Sequence, residues 1–128
     1  MTAHEKFASV RYIVDDVQAA VDFYTGRLGF EVRMSAAPAF ADVVRGPLRL
    51  LLSGPSSSGA RATPDEHAVA GRNRIHLLVE DLDAEIDRLK GAGVPFRSER
   101  VTGPGGSQVL VADPAGNLVE IFQPAARS

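Results

Sequence analysis

A chain of 128 residues, 45% hydrophobic and 23% charged, has the balance of one globular domain. Its formal charge of −2, with Lys and Arg scattered, leaves no basic stripe for nucleic acid, and the lack of cysteine excludes disulfides, thiolate zinc sites and a cysteine nucleophile. No apolar run approaches the roughly 20 residues of a membrane helix, and residues 1–6 lack the apolar core of a signal peptide, so a cytoplasmic protein without a membrane partner is expected.

The first expected element is a strand in which Val10, Tyr12 and Val14 alternate with Ser9, Arg11 and Ile13, the period of a half-buried sheet. Asp16 then precedes a helical pattern as a candidate N-cap, and Val17, Ala20, Val21 and Tyr24 fall on one helical face. Gly29 marks the helix end, where glycine can take the left-handed conformation. Three strands follow near 30–35, 40–45 and 48–53, with a turn at Gly46 and Pro47. The Ser-, Gly- and Ala-rich stretch 54–73 is too long and polar for a simple turn and reads as a linker or flap. His67 lies in it beside Asp65 and Glu66, but adjacent loop residues chelate a metal poorly, and a solvated loop is the simpler reading.

The same order of signals then returns. Residues 75–82 lie over 10–17 at an offset of 65 (75 minus 10), and the offset continues by pairing Val14 with Val79, Asp16 with Asp81, Ala19 with Ala84 and Asp22 with Asp87. Ile75, Leu77 and Val79 alternate with Arg74, His76 and Leu78, Asp81 is the second candidate N-cap, and the second helix stops near Gly93. Strands are expected near 95–101, 108–113 and 118–123, separated by turns at 103–106 and 113–116. The glycines of 103–106 lack the strand-loop-helix setting of a phosphate loop and read as a hairpin turn. The fold class is therefore α+β: two βαβββ modules at about 7–53 and 74–124, joined by linker 54–73.

The segment 14–30, with Phe23-Tyr24 and Leu28-Gly29-Phe30, resembles the opening of the vicinal oxygen chelate superfamily. That group includes glyoxalase I, extradiol dioxygenases, and fosfomycin- and bleomycin-resistance proteins. Asp113-Pro114-Ala115-Gly116-Asn117 resembles the family's closing segment, and Val79-Glu80-Asp81-Leu82 stands between them. The resemblance implies a curved eight-stranded mixed sheet, helices on its convex face and a cavity on its concave face.

The family's metallo-enzymes hold a divalent ion through four positions, mostly His, Glu or Gln. The opening-strand positions, seven residues before each N-cap Asp, here carry Ser9 and Arg74, and the closing carboxylate is Glu120. Laying 46–52 over 116–122 at an offset of 70 (116 minus 46) pairs Leu50 with Glu120. A quartet of Ser9, Leu50, Arg74 and Glu120 lacks the three protein ligands a catalytic ion needs, and Arg would repel it, so no metal and no cofactor is expected. An arginine standing where the cation stood should bring Arg74 within hydrogen-bond reach of Glu120, in a buried pair at the cavity floor.

Arg11 and His76 stand two residues beyond Ser9 and Arg74 and should point to the same face. His76 is a candidate proton-transfer group with Glu120, against the plainer role of a hydrogen-bonded lining residue. Phe122 and Phe40 are candidates for an apolar lining by strand parity, whereas Phe23, Tyr24, Phe30 and Phe96 suit the core. The expected ligand-binding set is thus Ser9, Arg11, Leu50, Arg74, His76, Glu120 and Phe122. The leading expectation is a metal-independent protein that sequesters or carries a small organic ligand such as an antibiotic, working as a homodimer. A lyase, isomerase or dioxygenase of the glyoxalase type, with or without metal, is the alternative.

Overall fold

The computed structural model describes residues 7–126, the side chain of Glu66 excepted. The chain divides between Gly71 and Arg72 into two compact units. The first contains β1 (Ala8–Ile13), α1 (Val17–Leu28), β2 (Glu31–Ala36), β3 (Phe40–Arg45), β4 (Leu48–Ser53) and α2 (Ser58–Ala62). The second contains β5 (Arg74–Leu78), α3 (Leu82–Gly91), β6 (Val101–Gly103), β7 (Gly106–Ala112) and β8 (Leu118–Pro124). Each unit is a βαβββ module, so the expected α+β architecture is present. The eight strands of the described residues fall into two four-stranded mixed sheets, ordered β1-β4-β3-β2 and β5-β8-β7-β6. In each sheet the opening strand runs parallel to the closing one, and the remaining pairs are antiparallel.

The repeated signals form for the expected physical reasons. Asp16 and Asp81 hold extended backbone and accept hydrogen bonds of 3.0 Å from Ala19 N and Ala84 N, satisfying an otherwise orphaned helical donor. α1 ends at Gly29 with φ 74°, a conformation that would strain a side-chain-bearing residue. One face of the first sheet buries Tyr12, Ala41, Val43, Leu50 and Leu52, and α1 packs its Val17, Ala20, Val21 and Tyr24 into the same core. Tyr24 meets Tyr12, Phe23 and Phe30 edge-on at 6.2, 5.2 and 5.2 Å between ring centres. In the second unit Ile75, Leu77, Val109, Val111, Val119 and Ile121 form the core with Leu82 and Leu89 of α3. Truncating one of these fully buried leucines to Ala costs about 2–5 kcal/mol.

Asp113 gives the closing motif a structural meaning. Its Oδ1 accepts from Ala115 N at 2.9 Å and Asn117 N at 2.8 Å, while Oδ2 accepts from Asn117 Nδ2 at 3.0 Å. Asn117 Oδ1 in turn accepts from Asn73 N at 2.9 Å, tying the β7–β8 turn to the start of β5. Pairing of Gly103 with Gly106 makes the glycine run a tight hairpin, as expected.

One sequence expectation is corrected. Residues 95–101 do not form a continuous strand: Phe96 makes a single bridge to Val111, and β6 begins only at Val101. Ser98 Oγ accepts the 3.0 Å hydrogen bond from Leu110 N that a strand carbonyl would take, a side-chain competitor that interrupts the ladder. The linker carries short local structure. Ser57 Oγ caps α2 by accepting from Ala60 N at 3.1 Å, and Asp65–His67 forms a 3-10 turn.

Candidate functional site

Strand periodicity leaves each sheet a second face, turned away from its helix. In the second unit β5 and β8 pair Arg74 with Leu118, His76 with Glu120 and Leu78 with Phe122, which puts these six residues on that face. Arg74 Nη2 donates to Glu120 Oε1 at 2.8 Å, and His76 Nε2 stands 3.6 Å from Glu120 Oε2. The His76 ring lies 5.0 Å from that of Phe122, tilted by 38°. Arg74, His76, Glu120 and Phe122 therefore form one cluster: a carboxylate held by a permanent cation and flanked by an imidazole on an aromatic ring.

The expected burial of this pair is corrected. The Glu120 side chain is 15% exposed, but that of Arg74 is 48% exposed, so the guanidinium keeps much of its hydration. Such a pair is worth about 1 kcal/mol or less, far from the cost of breaking a fully buried one.

The first unit differs. Ser9 Oγ accepts from Arg49 Nε at 2.9 Å, and Arg49 Nη1 lies 3.6 Å from Asp42 Oδ2. Arg11 Nη1 donates to Ser53 Oγ at 2.8 Å, and its guanidinium lies against Gly59 of α2, where a Cβ would collide with it. Phe40 pairs with Ser53 and shares this face, alongside Asp42. Leu50 does not. It pairs with Val10 and Val43, is 0% exposed, and faces the core under α1. The residue beside Arg11, as Glu120 is beside His76, is Leu51, so the two modules align at an offset of 69 (120 minus 51) rather than 70. A slip of one residue exchanges the faces of a strand.

Asp42, Arg49 and Ser53 escaped the sequence reasoning. The available signal was Asp42 itself, an acid inside the otherwise apolar strand pattern of 40–44. A cavity of about 320 Å³ in the first unit opens between Ile13, Val14 and Asp15 and the linker residues Arg61, Asp65 and Ala68. Another of about 550 Å³ in the second unit lies between Ile86 and Lys90 of α3 and Phe96, Arg97 and Val109. Neither is lined by the expected ligand residues.

The donors do not fit the divalent metal that the family resemblance implies. In the first unit Ser9 is engaged by Arg49, and Leu51 offers no donor atom. In the second unit the carboxylate at the inferred metal position, Glu120, is bonded to Arg74. Among the described residues no three His, Asp or Glu side chains group to hold an ion, His67 and Asp65 of the linker included.

With this geometry in view, the comparisons with known proteins are decisive at the level of family. The family model described as "Glyoxalase/Bleomycin resistance protein/Dioxygenase superfamily" matches residues 6–121. The chain belongs to this superfamily. Among solved structures it is similar to a lactoylglutathione lyase from Agrobacterium tumefaciens, with 26% identity, TM-score 0.76, and coverage of 91% of this chain and 92% of that one. It is similar to TnmS3, an antibiotic binding protein from Streptomyces sp. CB03234, with 25% identity, TM-score 0.75, and coverage of 98% and 100%. A superfamily member from Sphaerobacter thermophilus DSM 20745 is 27% identical, with TM-score 0.71 and coverage of 91% and 95%. No curated protein matches the chain. Among the described residues no helix is long and apolar enough to cross a membrane.

Proposed function

We propose that the chain is a metal-independent binding protein of the glyoxalase and bleomycin-resistance type, which sequesters or carries a small, partly apolar organic ligand such as an antibiotic. The observation that carries this reading is the 2.8 Å bond from Arg74 to Glu120. The carboxylate that would anchor a metal is instead neutralised by a group that cannot be displaced by deprotonation. The cluster offers a ligand the remaining donors of Arg74, the His76 imidazole and the Phe122 ring, while Ser9 and Arg11 serve on the first sheet. Similarity to TnmS3 supports the binding function. The reading includes a symmetric homodimer in the cytoplasm with no nucleic-acid partner.

An enzyme is the second reading, favoured by His76 Nε2 standing 3.6 Å from Glu120 and by similarity to the lactoylglutathione lyase. In that case His76 and Glu120 are the proton-transfer pair. Elemental analysis and calorimetric titration with nickel, zinc and iron separate the binding reading from a metal-dependent enzyme. The binding reading expects no stoichiometric ion and only weak uptake. About one metal per chain, lost on His76→Ala or Glu120→Gln, would overturn it.

A further inference from the structure

The helix side of the second sheet carries a cavity that nothing above employs. It holds about 550 Å³ and runs between α3 and the interrupted stretch 96–100, with the buried Val109 of β7 as its floor. Its walls offer two kinds of reachable surface: Ile86 and Phe96 are half-buried, while Lys90, Arg97, Glu99 and Arg100 are exposed. An apolar base with a few charged groups at its rim is the usual make-up of a small-molecule site. The charges around it are unevenly satisfied. On α3, Asp83 is bonded to Arg100 and Glu85 to Arg88, and Asp87 is exposed outside the lining. β7 contributes no charge. That leaves Lys90 and Arg97 against Glu99, and among the described residues neither cation has a carboxylate partner. Lys90 Nζ stands 5.6 Å from the centre of the Phe96 ring, a weak hold at an exposed position. The C-terminus of α3 does not occupy it either, because the carbonyls of Arg88, Leu89 and Lys90 accept from the N–H groups of Ala92, Gly93 and Val94.

We propose that this cavity binds a small amphipathic carboxylate, its apolar ring or chain laid on Ile86 and Phe96 and its anion met by Lys90 and Arg97. The site lies on the opposite face of the sheet from Arg74 and Glu120 and does not rest on the function proposed above. Lys90 turns its ammonium from the ring to the ligand, exchanging a cation–π contact for a charge-assisted hydrogen bond. Arg97 adds a planar fork suited to a carboxylate. Asp83 stands seven residues before Lys90 (90 minus 83), about 10 Å along α3, so the far end presents a neutralised pair with Arg100 and the anion is drawn to the Lys90 end. A cationic ligand would find Glu99 as its one unpaired acid in the wall and would meet two unpaired cations.

The probes are 2-naphthylacetate, its neutral isostere 2-naphthylacetamide, and the 2-(2-naphthyl)ethylammonium cation, titrated into the isotope-labelled full chain and followed by amide chemical shifts. The expected result is shifts at residues 86–90 and 96–100, with the carboxylate bound about fivefold more tightly than the amide, as two solvent-exposed charge contacts allow. The cation should bind no better than the amide. Replacing both cations, Lys90→Met with Arg97→Met, should bring carboxylate and amide to within about twofold of each other while leaving the amide's own affinity unchanged. If that variant does not fold, Lys90→Gln decides, with the preference reduced to about twofold. Equal binding of carboxylate and amide by the wild type overturns the proposal, as does a fivefold preference that survives the substitutions. Shifts confined to 74–78 and 118–123 overturn it as well and leave the binding-protein reading standing, since they place the ligand on the other face.

Discussion

Arg74 and Glu120 can be separated by a double-mutant cycle of Arg74→Met, Glu120→Gln and the pair together. The contact is short, 2.8 Å from Nη2 to Oε1, which alone suggests a strong ion pair. Exposure argues the other way: at 48% exposed, the guanidinium loses little hydration on forming the pair and gains little from re-forming it. Glu120 is better shielded, at 15%, so Arg74→Met leaves a carboxylate whose neighbouring base is His76 at 3.6 Å. Half-exposed geometry on one side and shielding on the other put the coupling near the top of the surface range, about 1 kcal/mol. Urea denaturation of the four proteins measures it, provided the m-value stays constant across the cycle. A coupling of about 3 kcal/mol or more would mean the pair is desolvated in solution and the exposed description of Arg74 is wrong. A coupling of zero would mean that the contact does not persist.

Other substitutions test the frame that holds the two faces. Asp113→Ala should cost about 3 kcal/mol in denaturant unfolding, because it leaves the buried Asn117 donors and Ala115 N without their acceptor. A loss below about 1 kcal/mol would show that water replaces the carboxylate. Gly106→Ala should lower stability by about 1–3 kcal/mol, since its φ is 149° and a Cβ would strike the Gln123 carbonyl and the Phe122 ring. An unchanged Tm would contradict the hairpin geometry.

The fold was legible because its signals are local. Asp16, Gly29 and Asp81 act within one turn of their own positions, and alternation at 10–14 and 75–79 names the core face directly. Arg74 with Glu120 was legible because the repeat and the family motif locate both strands. What failed was register. Nothing local distinguishes Leu50 from Leu51 in the run 50–52 of three leucines, and only the pairing of β4 with β1 and β3 decides which one is buried. The interruption at 95–101 was hidden for a similar reason. Ser98 reads as an ordinary polar strand residue until its hydroxyl is seen to take the bond from Leu110 N.

Corrected register changes how the two modules compare. In the second sheet the carboxylate is Glu120 on β8, and its neighbour on β7 is Leu110. In the first sheet the neighbours are Leu51 on β4 and Asp42 on β3. Acid and leucine have exchanged strands while remaining side by side on the face away from the helix. Each acid also stands by one arginine, Glu120 by Arg74 at 2.8 Å and Asp42 by Arg49 at 3.6 Å. The difference in those distances is chemical. Arg74 donates to one oxygen of Glu120, whereas Arg49 gives its Nε to Ser9 and leaves Asp42 with an acceptor unused. The first module therefore has the unmet hydrogen-bonding demand, and the second has a matched ion pair with an imidazole beside it.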